Sequence, residues 1–468
     1  MNKLETKMNI WIRSLLFAGL FGLLSSCQST NLKNLTTKAI PFLKNDTQAG
    51  ISQRVESSPS DVSIGSLLDD SFLEVKVDEG FMQSVKVSVN HDPEVLALEN
   101  QYKASKISVD IATSQKDFTV SGTVYGGVED LTDETAGVAV VMDARRLIYD
   151  GGQLDNQISS EILKSQSLSY ALLTKKNESA LKAARAWVEL RRYVELSDLI
   201  STRLSVLEPL ITQLETVADA GIGDVSQVAA AQRTVAMIRM TETDIKGKLD
   251  QARVNYKNIF GILPKSVEFS VEIFGDDAML DKALSIETEA PAVISEHLKY
   301  KAALAQLSSI QAKDRYSVGF ESRVQRPFGG SSRDSDESFG LVARKTIYDG
   351  KKLESEITYA KAQAEVQLES MRATYRKVSG ALSSSRERIT SLKVANRLAK
   401  KNAANAKEEI VYLRQQLIIG QSTLESVLNA EARLYEAESK EINFDAETLL
   451  VKMEALASSG MLVEIFEL

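Results

Sequence analysis

Along residues 378–417, apolar or small side chains recur at alternating four- and three-residue steps. They are Val378, Leu382, Ser385, Ile389, Leu392, Asn396, Ala399, Ala403, Ala406, Ile410, Leu413 and Leu417, with Ser385 and Asn396 the only polar breaks. A mean repeat of about 3.5 residues held this long is a coiled-coil seam, because a straight helix of about 3.6 residues per turn drifts off its partner. The helix it predicts runs without a proline from Ile347-Tyr348-Asp349-Gly350 to Gly420. At about 1.5 Å per residue it is roughly 100 Å long. Elsewhere the period drops to two. Phe118, Val120, Gly122 and Val124 alternate with Thr119, Ser121, Thr123 and Tyr125, which predicts a strand over 117–128 with two unlike faces. A return strand follows at 137–148. The same alternation recurs from Tyr316 to Gln325 with a return at 339–347. Strands of roughly 9–12 residues suit a tilted membrane β-strand.

These patterns occur twice in register. Leu147-Ile148-Tyr149-Asp150-Gly151-Gly152 matches Thr346-Ile347-Tyr348-Asp349-Gly350-Lys351, and Tyr149 to Gly221 spans 72 positions, as does Tyr348 to Gly420. Pro93 to Val120 and Pro291 to Val318 both span 27 positions, so the chain is two copies of one unit with a period of 198 to 199 residues. Each unit reads helix, strand, strand, very long helix, tip, return helix. Prolines 93 and 291 open helices, where the missing N–H is unneeded. The first long arm carries Leu173, Ala180, Trp187 and Val194 at seven-residue steps, and Pro209 inside it predicts a kink near the tip. Its return helix is expected from Val225 to Phe260, stopped by Gly261-Ile262-Leu263-Pro264.

Composition fits long helices rather than a globular core: 43% of the 468 residues are hydrophobic, 6% aromatic and seven are proline. A formal charge of −8 gives no support for nucleic-acid binding, which needs clustered Lys and Arg. The two histidines, His91 and His297, lack metal-ligand spacing and read as solvated surface residues, and Gly221-Ile222-Gly223 lacks the glycine and lysine of a phosphate loop. The chain therefore reads as no enzyme, with no cofactor or metal.

Lys3, Lys7 and Arg13 followed by an apolar run from Ser14 to Leu24 form a secretory signal, too short to span a membrane comfortably. Met8 is an alternative start. Removing residues 1–26, with three positive charges and one negative, takes the charge from −8 to −10. Leu24-Ser25-Ser26-Cys27 resembles a bacterial lipobox, with Cys27 the lipidated residue and the only cysteine of the chain. Gln28 after it implies, by that resemblance, sorting to the outer membrane. One acyl cluster anchors but does not span.

Four strands cannot close a barrel, and open edges are costly in lipid, so small multiples of four strands are the natural closures. Here the chain resembles the TolC family of outer-membrane efflux and secretion ducts, from about Val77 to Leu462. Carrying the resemblance are the helix starts Asn90-His91-Asp92-Pro93-Glu94 and Glu289-Ala290-Pro291, the doubled Ile-Tyr-Asp-Gly joints (Tyr149, Gly151, Tyr348, Gly350) and the doubled tips. The tips run from Gly221 and Asp224 through Gln227, and from Gly420 through Glu425, Ser426 and Asn429. The resemblance implies a mostly α chain with a transmembrane β-barrel portion: a homotrimer whose twelve strands form one barrel and whose helices form a periplasmic tunnel closing at the tips. Some members carry cation-binding aspartates there; Ser426, Asn429 and Gln227 depart from that pattern, leaving Glu425 as the candidate charge ring.

The expected divisions are a lipoprotein signal peptide at 1–26, a lipid-anchored polar tether at 27–76, TolC-like repeats at 77–263 and 290–462, an irregular acidic linker at 264–289 and a tail at 463–468. The expected partners are a periplasmic adaptor docking on the tips and an inner-membrane pump or ABC transporter, in tripartite efflux or type I secretion. A lipid-anchored periplasmic coiled coil bridging the membranes also accounts for the arms, but not for two matched strand pairs.

Overall fold

The computed structural model describes residues 80–130, 135–220, 225–270, 274, 277–328 and 334–468. Cys27, the signal and tether ranges, and the tip residues Gly221 and Asp224 lie outside them, as does the side chain of Gln227. The element order is α1 (Phe81–Asn90), α2 (Pro93–Ser114), β1 (Thr119–Asp130), β2 (Thr135–Tyr149), α3 (Gln153–Asp219), α4 (Val225–Phe260) and α5 (Asp277–Ala283). Then follow α6 (Pro291–Ala312), β3 (Ser317–Phe328), β4 (Asp336–Arg344), α7 (Lys352–Ile418), α8 (Leu424–Ser459) and α9 (Leu462–Ile465).

The duplication is kept to the residue in the helices. α2 and α6 have 22 residues each, α3 and α7 have 67, and α4 and α8 have 36. Asp92 caps α2 by accepting the Glu94 N–H at 2.9 Å, ahead of Pro93 at the first helical position. Gly460 closes α8 at φ 88°, a left-handed conformation that glycine adopts without a Cβ penalty. α3 continues through Pro209 without a break. The seam of α7 is buried at Val378, Leu382, Ser385, Ile389, Leu392, Ala399, Ala403, Ala406 and Ile410, as its period predicts.

The four strands form one antiparallel sheet in the order β1-β2-β3-β4. β4 departs from its expected range of 339–347. It starts at Asp336 and stops at Arg344, because that residue pairs with Ser317, the first residue of β3, and beyond it no backbone partner remains. Among the described residues no helix is long and apolar enough to cross a membrane.

The largest core among the described residues lies where α1, α3, α4 and α8 meet, and it draws in both the linker and the tail. The linker at 264–289 is not simply irregular: it contains α5, Phe269 stacks on Phe81 at 4.3 Å, and Trp187 Nε1 donates to the Val267 carbonyl at 3.0 Å. The tail enters the same core. Phe466 is buried with its ring 5.7 Å from Phe81 and 5.9 Å from Phe274. Large aromatic area drives both segments inward.

Candidate functional site

Three places carry the repeated sequence features: the sheet, the joints where strands become helices, and the tips. The register assigns every strand residue to a face. One face collects Val120, Val124, Met142, Phe320, Phe339 and Leu341, and Phe339 is 84% exposed. The opposite face collects Thr119, Ser121, Thr123, Asp143, Arg145, Glu321, Arg323 and Arg344. Arg344 forks onto both Glu321 oxygens at 2.5 and 2.9 Å, and Arg323 Nε donates to Asp143 Oδ1 at 2.9 Å. Ala139 and Val141 are buried on this polar face, which makes it the crowded one. Aromatic residues end the apolar face. Phe118 and Phe320 meet at 6.1 Å with Arg146 over Phe118, Phe339 stands in the next row, and Phe328 is at the other end.

At the first joint Asp150 accepts from the N–H groups of Gly152 (2.9 Å) and Leu154 (2.6 Å), capping α3. Asp349 does the same for Leu353 at 2.8 Å, capping α7. Both joints turn through two left-handed residues: Gly151 and Gly152 at φ 72° and 88°, then Gly350 and Lys351 at φ 69° each. Tyr149, 43% exposed, rests 5.2 Å from Tyr316, whereas Tyr348 is 85% exposed. Arg315 lies over Gly151, donating to its carbonyl at 2.8 Å, and a Cβ there would come within 2.5 Å of Arg315 Cδ. Around Gly350 a Cβ would meet nothing within 4 Å.

At the second tip Gly420 turns the chain at φ 74°. Thr423 Oγ1 accepts the Ser426 N–H at 3.2 Å and lies 2.8 Å from its hydroxyl, so Ser426 belongs to the cap of α8. Glu425 occupies the first turn of α8, where the helix dipole favours an anion. Asn429 Oδ1 accepts from Thr234 Oγ1 of α4 at 3.0 Å, tying the two return helices together. Ser426 and Asn429 are thus engaged in local structure. Glu425, Ser426 and Asn429 are all half-buried.

Inspection of the long arms missed a fourth feature just above this tip. Glu431, 1% exposed, meets Arg414 of α7 and lies 3.7 Å from Arg203 of α3. Arg203 Nε also donates to Glu438 at 3.1 Å, and Lys407 reaches Glu438 at 3.0 Å. Extending the period of α7 into α8 finds it, since Val427, Glu431, Leu434 and Glu438 follow four- and three-residue steps and put carboxylates on a seam. Beside it Tyr435 has its hydroxyl pKa pushed up to about 12, by burial and then by the negative charge of Asp244. Among the described residues no cluster of His, Cys, Asp and Glu could hold a metal. His91 is exposed, its Nδ1 2.8 Å from the Val87 carbonyl oxygen; His297 is half-buried rather than solvated.

Residues 288–456 match the family described as outer membrane efflux protein. No curated protein sequence matches the chain. Among solved structures, the outer membrane protein VceC of Vibrio cholerae superposes with a TM-score of 0.69 at 12% identity, covering 81% of this chain and 96% of that one. The Campylobacter jejuni CmeC outer membrane channel gives 0.66 at 11% identity, over 89% and 92% of the two chains. The open state of the Neisseria gonorrhoeae MtrE outer membrane channel gives 0.64 at 14%, over 87% and 96%. The chain therefore has the fold of the TolC-like outer membrane channels, and its second repeat carries their family signature.

Proposed function

We propose that this chain is the outer-membrane subunit of an efflux conduit, a passive duct in which three copies pool twelve strands and continue them as a helical tube. The observation that carries it is the sheet: one face mostly apolar and exposed, with the Arg326–Glu337 pair towards its far end, the other carrying most of the paired charges, and, among the described residues, no strand beyond β1 or β4. Lipid on the apolar side and water on the polar side satisfy both faces, and only closure with further strands satisfies the edges.

The duplication supports closure by copies of the same chain. α6 lies between α3 and α7, whereas α2 lies along α3 and not along α7. On α3 the face under α6 is small and buried: the Ser160 hydroxyl donates to the Ala302 carbonyl, and Ser295 donates to that of Ser167. The positions 199 later on α7 are Tyr359 and Val366, exposed at 67% and 53%, and α2 of a second copy would cover them. At the tips, Gly420, Glu425, Ser426 and Asn429, with Gly221, Asp224 and Gln227, are the expected docking surface for a periplasmic adaptor. That adaptor would bring an inner-membrane pump or ABC transporter, as in tripartite efflux or type I secretion. Cys27 is the expected lipid anchor after removal of residues 1–26.

Outer-membrane fractionation with a gel test for a heat-modifiable trimer examines the central claim. A chain soluble after delipidation would refute it and leave the periplasmic bridge. Photo-crosslinking from Ser426 and Gln227 examines the partner: an adaptor paired with a proton-driven pump means efflux, one paired with an ABC transporter means ATP-driven export. Bulky substitution at both Gly221 and Gly420 should abolish export with the barrel assembled.

A further inference from the structure

The rim of the sheet nearest the long helices carries one short pattern twice. Arg146, Ile148 and Tyr149 close β2, and 199 positions later Lys345, Ile347 and Tyr348 follow β4. Arg146 stands on the apolar face, opposite Phe320, and Lys345 comes next in the line of Leu341 and Ala343 on that same face. Both cations are exposed. Arg146 lies 5.1 Å over the Phe118 ring and its Nε donates to the Lys116 carbonyl at 3.3 Å. Among the described residues neither Arg146 nor Lys345 meets a carboxylate, and Asp117 and Asp314, in the turns ahead of β1 and β3, pair with neither.

The surroundings set this rim apart. Towards the far end of the same face the cation is already neutralised, since Arg326 is paired with Glu337. On the adjoining helices Lys313 is held by Glu356 at 2.8 Å, while Asp150 and Asp349 cap α3 and α7. A missing strand does not account for the exposure. β2 already has β1 on one side and β3 on the other, yet Ile148 is 57% exposed and Arg146 stays open. A cation on an apolar surface, flanked by aromatic and isoleucine side chains and lacking a counter-charge, suits the level where acyl chains give way to headgroups. Its stem lies along hydrocarbon and its charged end reaches the phosphate.

We propose that this rim is a binding surface for anionic phospholipid, in which Arg146 and Lys345 each take the phosphate of one headgroup while the isoleucines and tyrosines after them lie against the start of its acyl chains. This rests on the reading of the apolar face as lipid-facing, and the test separates the two.

The purified full chain is reconstituted in vesicles of equal parts phosphatidylcholine and phosphatidylglycerol and floated on a density gradient after an alkaline wash. Lipids retained through detergent exchange are then counted by native mass spectrometry. Phosphatidylglycerol should outnumber phosphatidylcholine about fivefold, the factor that ~1 kcal/mol per cation near an anionic headgroup gives, and the excess should shrink at high salt. Arg146→Gln/Lys345→Gln should float as before and retain the two lipids equally. Arg146→Lys/Lys345→Arg should keep the preference, and Arg326→Gln/Glu337→Gln should not move it. Equal retention by the unaltered chain, or a preference that survives Arg146→Gln/Lys345→Gln, would overturn the assignment. An unaltered chain that does not float with the vesicles would instead refute the lipid-facing sheet, and with it the duct.

Discussion

Helices α3 and α7 have the same 67 residues and begin after the same Tyr-Asp-Gly turn, yet they live in different surroundings. Among the described residues α3 is flanked by α1, α2, α4, α6 and α8, while α7 packs on α6, α8 and the segment around α5. Side chains follow the surroundings rather than the ancestry. Buried Ser160 faces α6 where exposed Tyr359 faces nothing, and Gly151 lies under Arg315 where Gly350 stands open. In a duplicated chain the enclosed half is therefore a template for what the open half awaits. The same template separates features that are local, such as the aspartate caps, from those that need a neighbour.

Substitutions at matched positions should give unequal answers, and the widest gap is expected at the joints. Gly151→Val meets both a left-handed backbone and Arg315, costing about 4 kcal/mol. Gly350→Val meets only the backbone cost, about 2 kcal/mol. Yields of folded chain and circular-dichroism melts of the detergent-purified monomer compare the two, and equal losses would deny that the first joint is the enclosed one. Next come the faces of the sheet. Leu341→Arg should impair membrane assembly by ~2–4 kcal/mol while Thr123→Arg on the polar face is tolerated, read from urea titrations in lipid vesicles.

Disturbing the ion pairs above the tip is a smaller perturbation. Glu431→Gln removes the buried charge that Arg414 and Arg203 share, and because Arg203 keeps Glu438 and Arg414 is partly solvated the loss is about 2–3 kcal/mol. Gln232→Leu, at the matching exposed position, should stay within about 0.5 kcal/mol in the monomer. Denaturant midpoints of the two variants give the contrast directly. The smallest effect is a pH dependence. The Tyr435 pKa is raised from an ordinary 10.0 to about 12. Its contribution is therefore complete below pH 10.0 and lost as pH rises towards about 12. Tyr435→Phe should melt with a shallower decline across that window, whereas Ala236→Phe, 199 positions earlier, should leave the decline unchanged.

The helices, their lengths and the seam of α7 were legible because each rests on a local period repeated many times. The strands were legible for the same reason, though the end of β4 was not: it is set by where β3 begins, a nonlocal fact. Roles for Phe269, Phe274 and Phe466 were invisible, since no spacing links a linker and a tail to Phe81. At the tip, residue types alone left Ser426 and Asn429 open to a pore role, and only geometry assigns them to a helix cap and to Thr234. Glu431 was legible in principle, as a carboxylate on an apolar seam, had the period been followed past the turn.

The ring of Phe466 against that of Phe81 bears on how the protein is made. A ribosome delivers Phe466 only after Phe81 and both repeats have emerged, so the central aromatic cluster stays incomplete until then. Contacts of such sequence separation form late, and until they do the nascent chain has long helices but no finished centre. A chain stopped short of Phe466 therefore carries both repeats without the last ring of the core that joins them.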